Sequence, residues 1–194
     1  MLKAGLSGGI GSGKTTVSKV FQTLGVPVFY ADDVVKDLYD TDKHLQEAMI
    51  NLFGTAIYAD GRLQRKVLAA LIFNDDRLLH QVNALTHPLV SATFARWSQA
   101  QKAPYVLHEA AILFECGVAA TMDINISISA PENIRIARVM QRDGYSEEQI
   151  RQRMSKQWSD EQRNANADYV IVNDDKEALL PQITTIHEKI LTQI

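Results

Sequence analysis

The chain has 194 residues, of which 46% are hydrophobic and 22% are charged, and its formal net charge is −3. This composition is that of a globular protein and excludes general disorder. The single cysteine, Cys116, excludes an internal disulfide and a cysteine-based zinc site. The weakly acidic net charge predicts no nucleic-acid partner. The sequence shows neither an apolar leader nor an apolar stretch of membrane length, which predicts a cytoplasmic protein with no membrane partner. No obligate protein partner is inferred.

Short apolar runs bounded by turn residues predict buried parallel strands at residues 2–6, 26–30, 105–107, 123–129 and 169–172. After the first run, four apolar residues recur at helical spacing: Val17, Val20, Phe21 and Leu24. Gly25 is well placed to end that helix. The order strand, loop, helix, strand indicates an α/β fold.

Residues 33–104 show almost no strand pattern, and Leu63, Val67 and Leu71, or Leu68, Leu71 and Ile72, recur at helical spacing. A simple crossover between parallel strands needs far fewer residues. We therefore predict a helical lobe inserted after the second strand, with turns at residues 51–54 and 59–61.

Residues 131–165 follow the fourth predicted strand and predict two short, arginine-rich helices. Pro131 suits the first turn, and three residues are expected to pack inward: Ile134, Ala137 and Val139. Three arginines share one face of the same helix: Arg135, Arg138 and Arg142. Asp143-Gly144 is expected to end this helix, and the sequence Ser-Glu-Glu-Gln at 146–149 fits a capping box that starts the next. Two such helices are typical of a lid.

Residues 8–15, Gly-Gly-Ile-Gly-Ser-Gly-Lys-Thr, match the phosphate-loop motif G-x-x-x-x-G-K-[ST] in full. The motif follows a predicted strand and opens a predicted helix, so that backbone N–H groups and the helix dipole converge on one anion. Lys14 is expected to reach the β- and γ-phosphates of ATP, and the Thr15 hydroxyl to bind Mg²⁺. The residues assigned to the nucleotide are Gly8, Gly9, Gly11, Ser12, Gly13, Lys14, Thr15 and Thr16. A tight turn that binds no ligand is the structural alternative.

The motif serves many classes of nucleotide-binding protein. The Asn-Lys-x-Asp and Asp-x-x-Gly strings of guanine-specific GTPases do not occur in the chain, which disfavours a GTPase switch. A domain of this length suits phosphoryl transfer to a small molecule better than a motor or a helicase.

Two carboxylates follow predicted strands at the edge of the sheet that carries the phosphate loop. Asp32 is well placed to orient a hydroxyl acceptor and take its proton, although it could instead cap the next helix. Glu109 could hold a magnesium-bound water, or it could be a loop carboxylate in a core hydrogen bond. Arg142 could stabilise charge on the transferring phosphate when the lid closes, or it could lie on a solvated face. His87, before Pro88, is a candidate acceptor contact or a turn residue.

The chain resembles the dephospho-CoA kinase family over nearly its whole length. The strings that carry the resemblance are LSGGIGSGKTT at 6–16, AD at 31–32, DGRLQR at 60–65, HPL at 87–89, ILFE at 112–115, QRD at 141–143, and ADYVI at 167–171 before Asn173. The resemblance implies a three-layer α/β P-loop kinase fold with a five-stranded parallel sheet, a helical acceptor-binding insert and a helical lid. It implies ATP-dependent phosphorylation of the ribose 3′-hydroxyl of dephospho-CoA, the last step of coenzyme A synthesis. By the family pattern, Asp32 corresponds to the catalytic carboxylate and Arg142 to the lid arginine; with Lys14 they form the catalytic set.

The chain departs from the family pattern at four positions. Tyr30 replaces the first acid of an Asp-Ala-Asp string, so that only Asp32 is carried over. Ser7 stands where Thr is usual and keeps the hydroxyl, Ala111 replaces a proline, and Glu109 takes a place often held by Asp. Because the implied acceptor carries a pyrophosphate, four cations of the lobe are candidate contacts: Lys36, Arg62, Arg65 and Lys66.

We expect one domain over residues 1–194, with a core at 1–32, 105–130 and 166–194, a helical acceptor lobe at 33–104 and a lid at 131–165. The expected substrate contacts are Ser7, Asp32, Arg65, His87 and Glu109. The alternative functions are a kinase of another small acceptor, such as a nucleoside monophosphate, and a non-catalytic nucleotide-dependent binding module.

Overall fold

Parallel strands form the centre of the computed structural model, which describes residues 1–72 and 75–194. The strands are β1 (Leu2–Gly8), β2 (Val28–Tyr30), β3 (Tyr58–Ala59), β4 (Arg62–Leu63), β5 (Tyr105–Glu109), β6 (Ile124–Ser129) and β7 (Tyr169–Val172). Five of them form one sheet in the order β2-β5-β1-β6-β7, in which every neighbouring pair is parallel. The predicted five-stranded parallel sheet is confirmed. Strand β5 extends two residues beyond its predicted end, to Glu109.

Helices cover both faces of this sheet. Ala4 and Leu6 of β1 lie in a buried apolar cluster that includes Val17 and Phe21 of helix α1 (Lys14–Thr23). Residues of the C-terminal helix α9 (Leu179–Leu191), such as Ile183, complete the cluster. On the opposite face, the Ser127 hydroxyl donates a hydrogen bond of 2.7 Å to the side chain of Asn164, in helix α8 (Asp160–Ala165). Because strand side chains alternate between faces, these contacts define three layers.

Glycines flank helix α1 on both sides, and Gly25 follows its end as the sequence predicts. Gly13 has a φ of 99° and accepts hydrogen bonds from the N–H groups of Thr16 and Val17. Gly25 has a φ of 84° directly after the helix and its C-cap residue. A positive φ is accessible to glycine without steric cost, which explains why the helix stops there.

Between β2 and β5 the chain is mainly helical, as expected. The helices are α2 (Ala31–Thr41), α3 (Lys43–Phe53), α4 (Arg65–Ile72) and α5 (Asp76–Gln99), and a 3-10 turn covers Thr55–Ile57. They surround their own apolar cluster, in which Leu45, Met49 and Ile57 are buried. Residues 73 and 74 of the predicted lobe lie outside the described residues.

Three expectations for this region need correction. Residues 51–53 are the last turn of α3, and the chain leaves the helix only at Gly54, where φ is 80°. The sequence did not predict strands β3 and β4, which form a hairpin, although the turn predicted at residues 59–61 is confirmed. Asp60 and Gly61 at the tip both have a positive φ, as two-residue hairpin loops favour. The interpretation of His87 as a turn residue is wrong, because α5 continues through Pro88.

The segment after β6 folds into helices α6 (Glu132–Asp143) and α7 (Glu147–Met154), followed by α8. Gly144 ends α6 with a φ of 70°, and the Ser146–Gln149 capping box is present, so both predictions are confirmed. The expected inward face of α6 is wrong in part, since Ala137 is exposed whereas Arg135 and Ile136 are buried with Val139. Helix α8 also begins with a capping box, formed by Ser159 and Gln162.

The chain divides into two compact units. Unit 1 comprises residues 1–30 and 101–194, and it contains the sheet and helices α1 and α6 to α9. Unit 2 comprises residues 31–100, and it contains helices α2 to α5 and the hairpin. Within residues 1–72 and 75–194, no helix has the length and apolarity to cross a bilayer.

Candidate nucleotide-binding site

The phosphate loop connects the end of β1 to the start of α1 in unit 1. The loop closes on itself, because the Ser12 N–H donates to the Gly9 carbonyl at 3.0 Å and Gly11 and Gly13 have φ values of 78° and 99°. The Lys14 Nζ donates to the Gly8 carbonyl at 2.8 Å, so that the lysine folds back over the loop. The predicted strand, loop and helix therefore assemble as a polyphosphate site requires.

Four consecutive residues of this loop are contacted by side chains from residues 135–173. Arg135 and Arg163 lie so close to Gly9 that a Cβ atom there would be 2.8 Å from Arg163 Nη2 and closer still to Arg135 Nη1. The Ile10 N–H donates to Gln157 Oε1 at 2.9 Å. Two further contacts reach loop carbonyls: Arg138 Nη1 donates to Gly11 at 3.4 Å and Asn173 Nδ2 donates to Ser12 at 2.7 Å. The loop conformation is thus supported by distant parts of unit 1.

Two buried arginines and two partly buried carboxylates form a charged cluster next to Gly9. Arg163 is fully buried, and its Nη2 lies 2.6 Å from Asp160 Oδ1, whereas Arg135 Nη1 lies 3.3 Å from the same oxygen. Arg163 Nη1 donates to the Trp158 carbonyl at 2.5 Å and lies 3.6 Å from Glu115 Oε1. Burial lowers the pKa of the Arg135 guanidinium, and the negative charge of Asp160 opposes that shift. Two cations and two carboxylates balance here, as buried charges require.

Sequence reasoning did not assign a role to Gln157, Arg163 or Asn173. Asn173 belongs to a string that carried the family resemblance, and the Ser-Asp-Glu-Gln pattern at 159–162 resembles the capping box recognised at 146–149. That second pattern was the available signal for helix α8, which positions Asp160 and Arg163. No local signal marks Gln157, because its partner Ile10 is 147 residues away in the chain.

The three arginines of α6 have different surroundings. Arg135 is almost completely buried, and Arg138 contacts the loop at Gly11 and also binds Asn173 and Asp175. Arg142, the predicted lid arginine, has a side chain that is 64% exposed, and its Nε and Nη2 donate to the Asp143 carboxylate at 2.8 and 2.7 Å. Arginines at helical spacing on one helix therefore do not share one environment.

The predicted acids occupy the first turn of a helix and the end of a strand. Asp32 is exposed in the first turn of α2, directly after β2 in the chain, so it does not occupy the N-cap position considered for it. Glu109 is buried as the last residue of β5, in register with Leu6 of β1 and Tyr30 of β2. It lies inside the strand, not in the following loop.

The remaining predicted residues of unit 1 are hydroxyl-bearing. Ser7 is fully buried near the end of β1, and its Oγ donates to the Ala111 carbonyl at 3.4 Å. Thr15 and Thr16 are exposed in the first turn of α1. Across residues 1–72 and 75–194, no group of three or more His, Cys, Asp or Glu side chains could hold a metal ion. The Thr15 hydroxyl is exposed, and a hydroxyl oxygen is a ligand of the kind that Mg²⁺ prefers.

The predicted acceptor contacts Arg65 and His87 belong to unit 2. Arg65 begins α4, and its Nη2 lies 3.6 Å from an Asp40 oxygen, whereas Asp40 also accepts the Leu63 N–H at 2.9 Å. His87 is half-buried in the middle of α5, and burial lowers its pKa below the usual 6.5. Burial therefore favours the neutral form of the imidazole.

The sheet order, the complete phosphate loop after the central strand and the helical segment after β6 define a P-loop kinase. The family model described as dephospho-CoA kinase matches residues 2–178. A dephospho-CoA kinase of Porphyromonas gingivalis is 40% identical over 194 residues, covering 100% of this chain and 96% of the relative. The chain belongs to the dephospho-CoA kinase family, which confirms the resemblance.

Solved structures are similar over the same length. TT1252 from Thermus thermophilus has a TM-score of 0.86 and 30% identity, with 100% of this chain and 97% of that chain covered. A dephospho-CoA kinase from Campylobacter jejuni has a TM-score of 0.72 at 22% identity, with 98% of each chain covered, and so shows the same fold.

Proposed function

We propose that this chain transfers the γ-phosphoryl group of ATP to the ribose 3′-hydroxyl of dephospho-CoA, giving coenzyme A and ADP. The observation that carries the proposal is the complete phosphate loop at the end of β1, in a chain that matches the dephospho-CoA kinase family over residues 2–178. The relative from Porphyromonas gingivalis carries the same activity in its name.

In this proposal the loop amides and the N-terminus of α1 bind the phosphates of ATP, and Lys14 exchanges its bond to the Gly8 carbonyl for one to a phosphate. Thr15 would hold Mg²⁺, and Glu109 would orient a water of that ion. When bound, the ion supplies neutralisation of the charge on the β- and γ-phosphates.

Asp32 orients the 3′-hydroxyl and accepts its proton as the hydroxyl oxygen bonds to the γ-phosphorus. The bond between that phosphorus and the β,γ-bridging oxygen breaks at the same time, and the electron pair leaves with ADP. The exposure of Asp32 in the first turn of α2 supports this role, because an acid that meets a substrate must be accessible.

Arg142 would exchange its bonds to Asp143 for the transferring phosphoryl group when the lid, residues 131–165, closes. The lobe at residues 33–104 would bind the acceptor. Its candidate contacts are Arg65 and His87, with Lys36, Arg62 and Lys66 as further cations. Ser7 and Glu109 are further candidate substrate contacts. We propose a cytoplasmic enzyme that acts on a small-molecule substrate and has no nucleic-acid, membrane or obligate protein partner.

An acceptor screen tests the proposal. ADP formation from MgATP is measured with dephospho-CoA, with nucleoside monophosphates and without acceptor, and mass spectrometry identifies the phosphorylated product. We expect dephospho-CoA to give the highest rate and a product with one added phosphoryl group, and a Lys14→Ala variant to lose that rate. A higher rate with a nucleoside monophosphate, or equal rates with and without dephospho-CoA, would refute the proposed acceptor.

A further inference from the structure

Ile10, at the tip of the phosphate loop, is attached to the segment after β6 in two ways. Its N–H donates to Gln157 Oε1 at 2.9 Å. Its side chain packs against a small apolar cluster in which Ile136, Val139 and Ile150 are buried and which Tyr145 and Met154 complete. Both the backbone and the side chain of one loop residue are therefore held by residues of α6, α7 and the link between α7 and α8.

Gln157 is itself held in place within that link. Its N–H donates to the Met154 carbonyl at 3.0 Å, so the residue continues directly from α7. The next residue, Trp158, donates its N–H to Glu115 Oε1 at 2.9 Å, and its ring stacks on Phe114 at a centroid distance of 6.2 Å. The Trp158 carbonyl accepts from buried Arg163. The backbone on both sides of Gln157 is thus tied down, which limits the positions that its side chain can reach.

The chemistry of a glutamine suits this position. A phosphate loop works because several N–H groups point to one anion, and the peptide that follows Gly9 must keep a single orientation for that purpose. A neutral amide oxygen can hold the Ile10 N–H without adding negative charge beside a triphosphate. A carboxylate in the same place would accept the same hydrogen bond but repel the nucleotide.

We propose that Gln157 is a positioning residue for the phosphate loop: by accepting the Ile10 N–H it keeps the loop in its nucleotide-binding conformation before ATP arrives. The inference rests on the proposed function, because the ligand it serves is the triphosphate of ATP. A hydrogen bond of this kind contributes about 1 to 1.4 kcal/mol, which corresponds to a change in nucleotide affinity of about fivefold to tenfold.

The test compares Gln157→Met with Gln152→Met. Methionine has nearly the shape of glutamine but is a poor hydrogen-bond acceptor. Gln152 is exposed on α7, and its side chain makes no hydrogen bond to the part of the chain that the structure describes. Calorimetry measures the Kd of a non-hydrolysable ATP analogue with Mg²⁺, and steady-state kinetics measures the KM of dephospho-CoA. We expect Gln157→Met to raise the nucleotide Kd about fivefold to tenfold with less than a twofold change in that KM, and Gln152→Met to change neither.

A second measurement does not depend on any variant. In the nucleotide-free wild-type protein, the Ile10 amide should exchange its hydrogen slowly compared with amides of exposed turns. Fast exchange at Ile10, an unchanged nucleotide Kd in Gln157→Met, or equal losses for nucleotide and dephospho-CoA would overturn the inference. A wild-type protein that binds the analogue but does not phosphorylate dephospho-CoA would refute the proposed function alone, since the comparison of Kd values would still stand. A wild-type protein that binds no nucleotide would refute both.

Discussion

The phosphate loop in unit 1 and the candidate acceptor residues in unit 2 differ in how they are supported. Gly9, Ile10, Gly11 and Ser12 are each contacted by a side chain from residues 135–173. Asp32 and Arg65 are exposed on helices, and His87 is half-buried. A loop that binds through its backbone has to hold its shape before the ligand arrives, whereas side chains that meet an acceptor have to remain accessible.

The same contrast appears within helix α6. Arg135 and Arg138 contact the loop and form ion pairs with carboxylates. Arg142 is exposed, and within residues 1–72 and 75–194 its ion pair is with its neighbour Asp143 alone. We infer that the N-terminal half of this helix supports the loop and that its C-terminal end is free for the proposed lid function. The difference predicts that variants near the loop change nucleotide affinity and that variants in unit 2 change turnover or acceptor affinity.

The largest expected effect is in unit 2. Asp32→Asn removes the proposed proton acceptor but keeps the size of the side chain, so turnover should fall by a factor of about 10² or more while the Kd of ATP stays nearly unchanged. Steady-state kinetics and calorimetry measure the two quantities. Asp33→Asn is the matched control, because Asp33 is the next residue, is exposed and pairs with Lys36. Equal losses in the two variants would remove Asp32 from the mechanism.

The second largest effect is expected in the pH dependence of the free energy of unfolding, through a buried histidine in the sheet of unit 1. His108 in β5 is 3% exposed, stacks on Phe29, and burial lowers its pKa to about 4. Because His108 has a higher pKa in the unfolded chain than in the folded protein, the unfolded chain binds a proton at this residue more readily. The stability of the folded protein that depends on a neutral His108 is therefore complete above pH 6.5 and is lost as the pH falls towards 4. At pH 5 the loss from this group is about 2 kcal/mol, which is about 30-fold in the unfolding equilibrium.

Urea unfolding at pH 7 and pH 5 measures this contribution. The wild type should lose about 2 kcal/mol more than His108→Gln between the two pH values, since glutamine does not titrate. His80→Gln, at an exposed position of α5, is the control and should behave as the wild type does. Equal losses in wild type and His108→Gln would show that His108 is accessible to protons in the folded state.

A third and smaller effect concerns Gly9. An added Cβ would displace the guanidinium groups of Arg135 and Arg163 from Asp160, so Gly9→Ala should weaken ATP binding about tenfold and lower the Tm. Gly25→Ala is the control. The φ of 84° at Gly25 disfavours alanine, but no atom lies within 4 Å of the added Cβ, so this variant has backbone strain without a clash. The control should lose stability and keep its nucleotide Kd. A Gly9→Ala variant with wild-type affinity would contradict the role of the two arginines.

The smallest effect is expected at Arg65. Its ion pair with Asp40 is exposed, and it is a candidate contact for the pyrophosphate of the acceptor, so Arg65→Ala should raise the KM of dephospho-CoA by about threefold to fivefold and leave the Kd of ATP unchanged. Arg77→Ala, at another exposed arginine of unit 2, should change neither quantity. A rise in the Kd of ATP in Arg65→Ala would contradict the division of roles between the two units.

Much of the fold and part of the site could be predicted because the signals are local. The five strands are short apolar runs, the phosphate loop is a continuous motif, and Gly25, Gly144 and the Ser146 capping box mark helix ends within a few residues. The β3 and β4 hairpin was missed because strands of two residues contain no periodic pattern. The wrong inward face of α6 has another cause, since a buried arginine does not follow hydrophobic spacing.

Local sequence was therefore sufficient to predict the individual strands, the phosphate loop and the family, since each is marked by short strings of residues that are neighbours in the chain. Long-range packing was needed to separate the roles of Arg135, Arg138 and Arg142, and to bring Gln157, Arg163 and Asn173 to the loop. Their partners are far away in the chain: Arg135 meets Asp160 over 25 residues, and Asn173 meets Ser12 over 161. A charged or amide side chain becomes buried only where folding supplies a partner for it, and that partner is not visible in the residues around it.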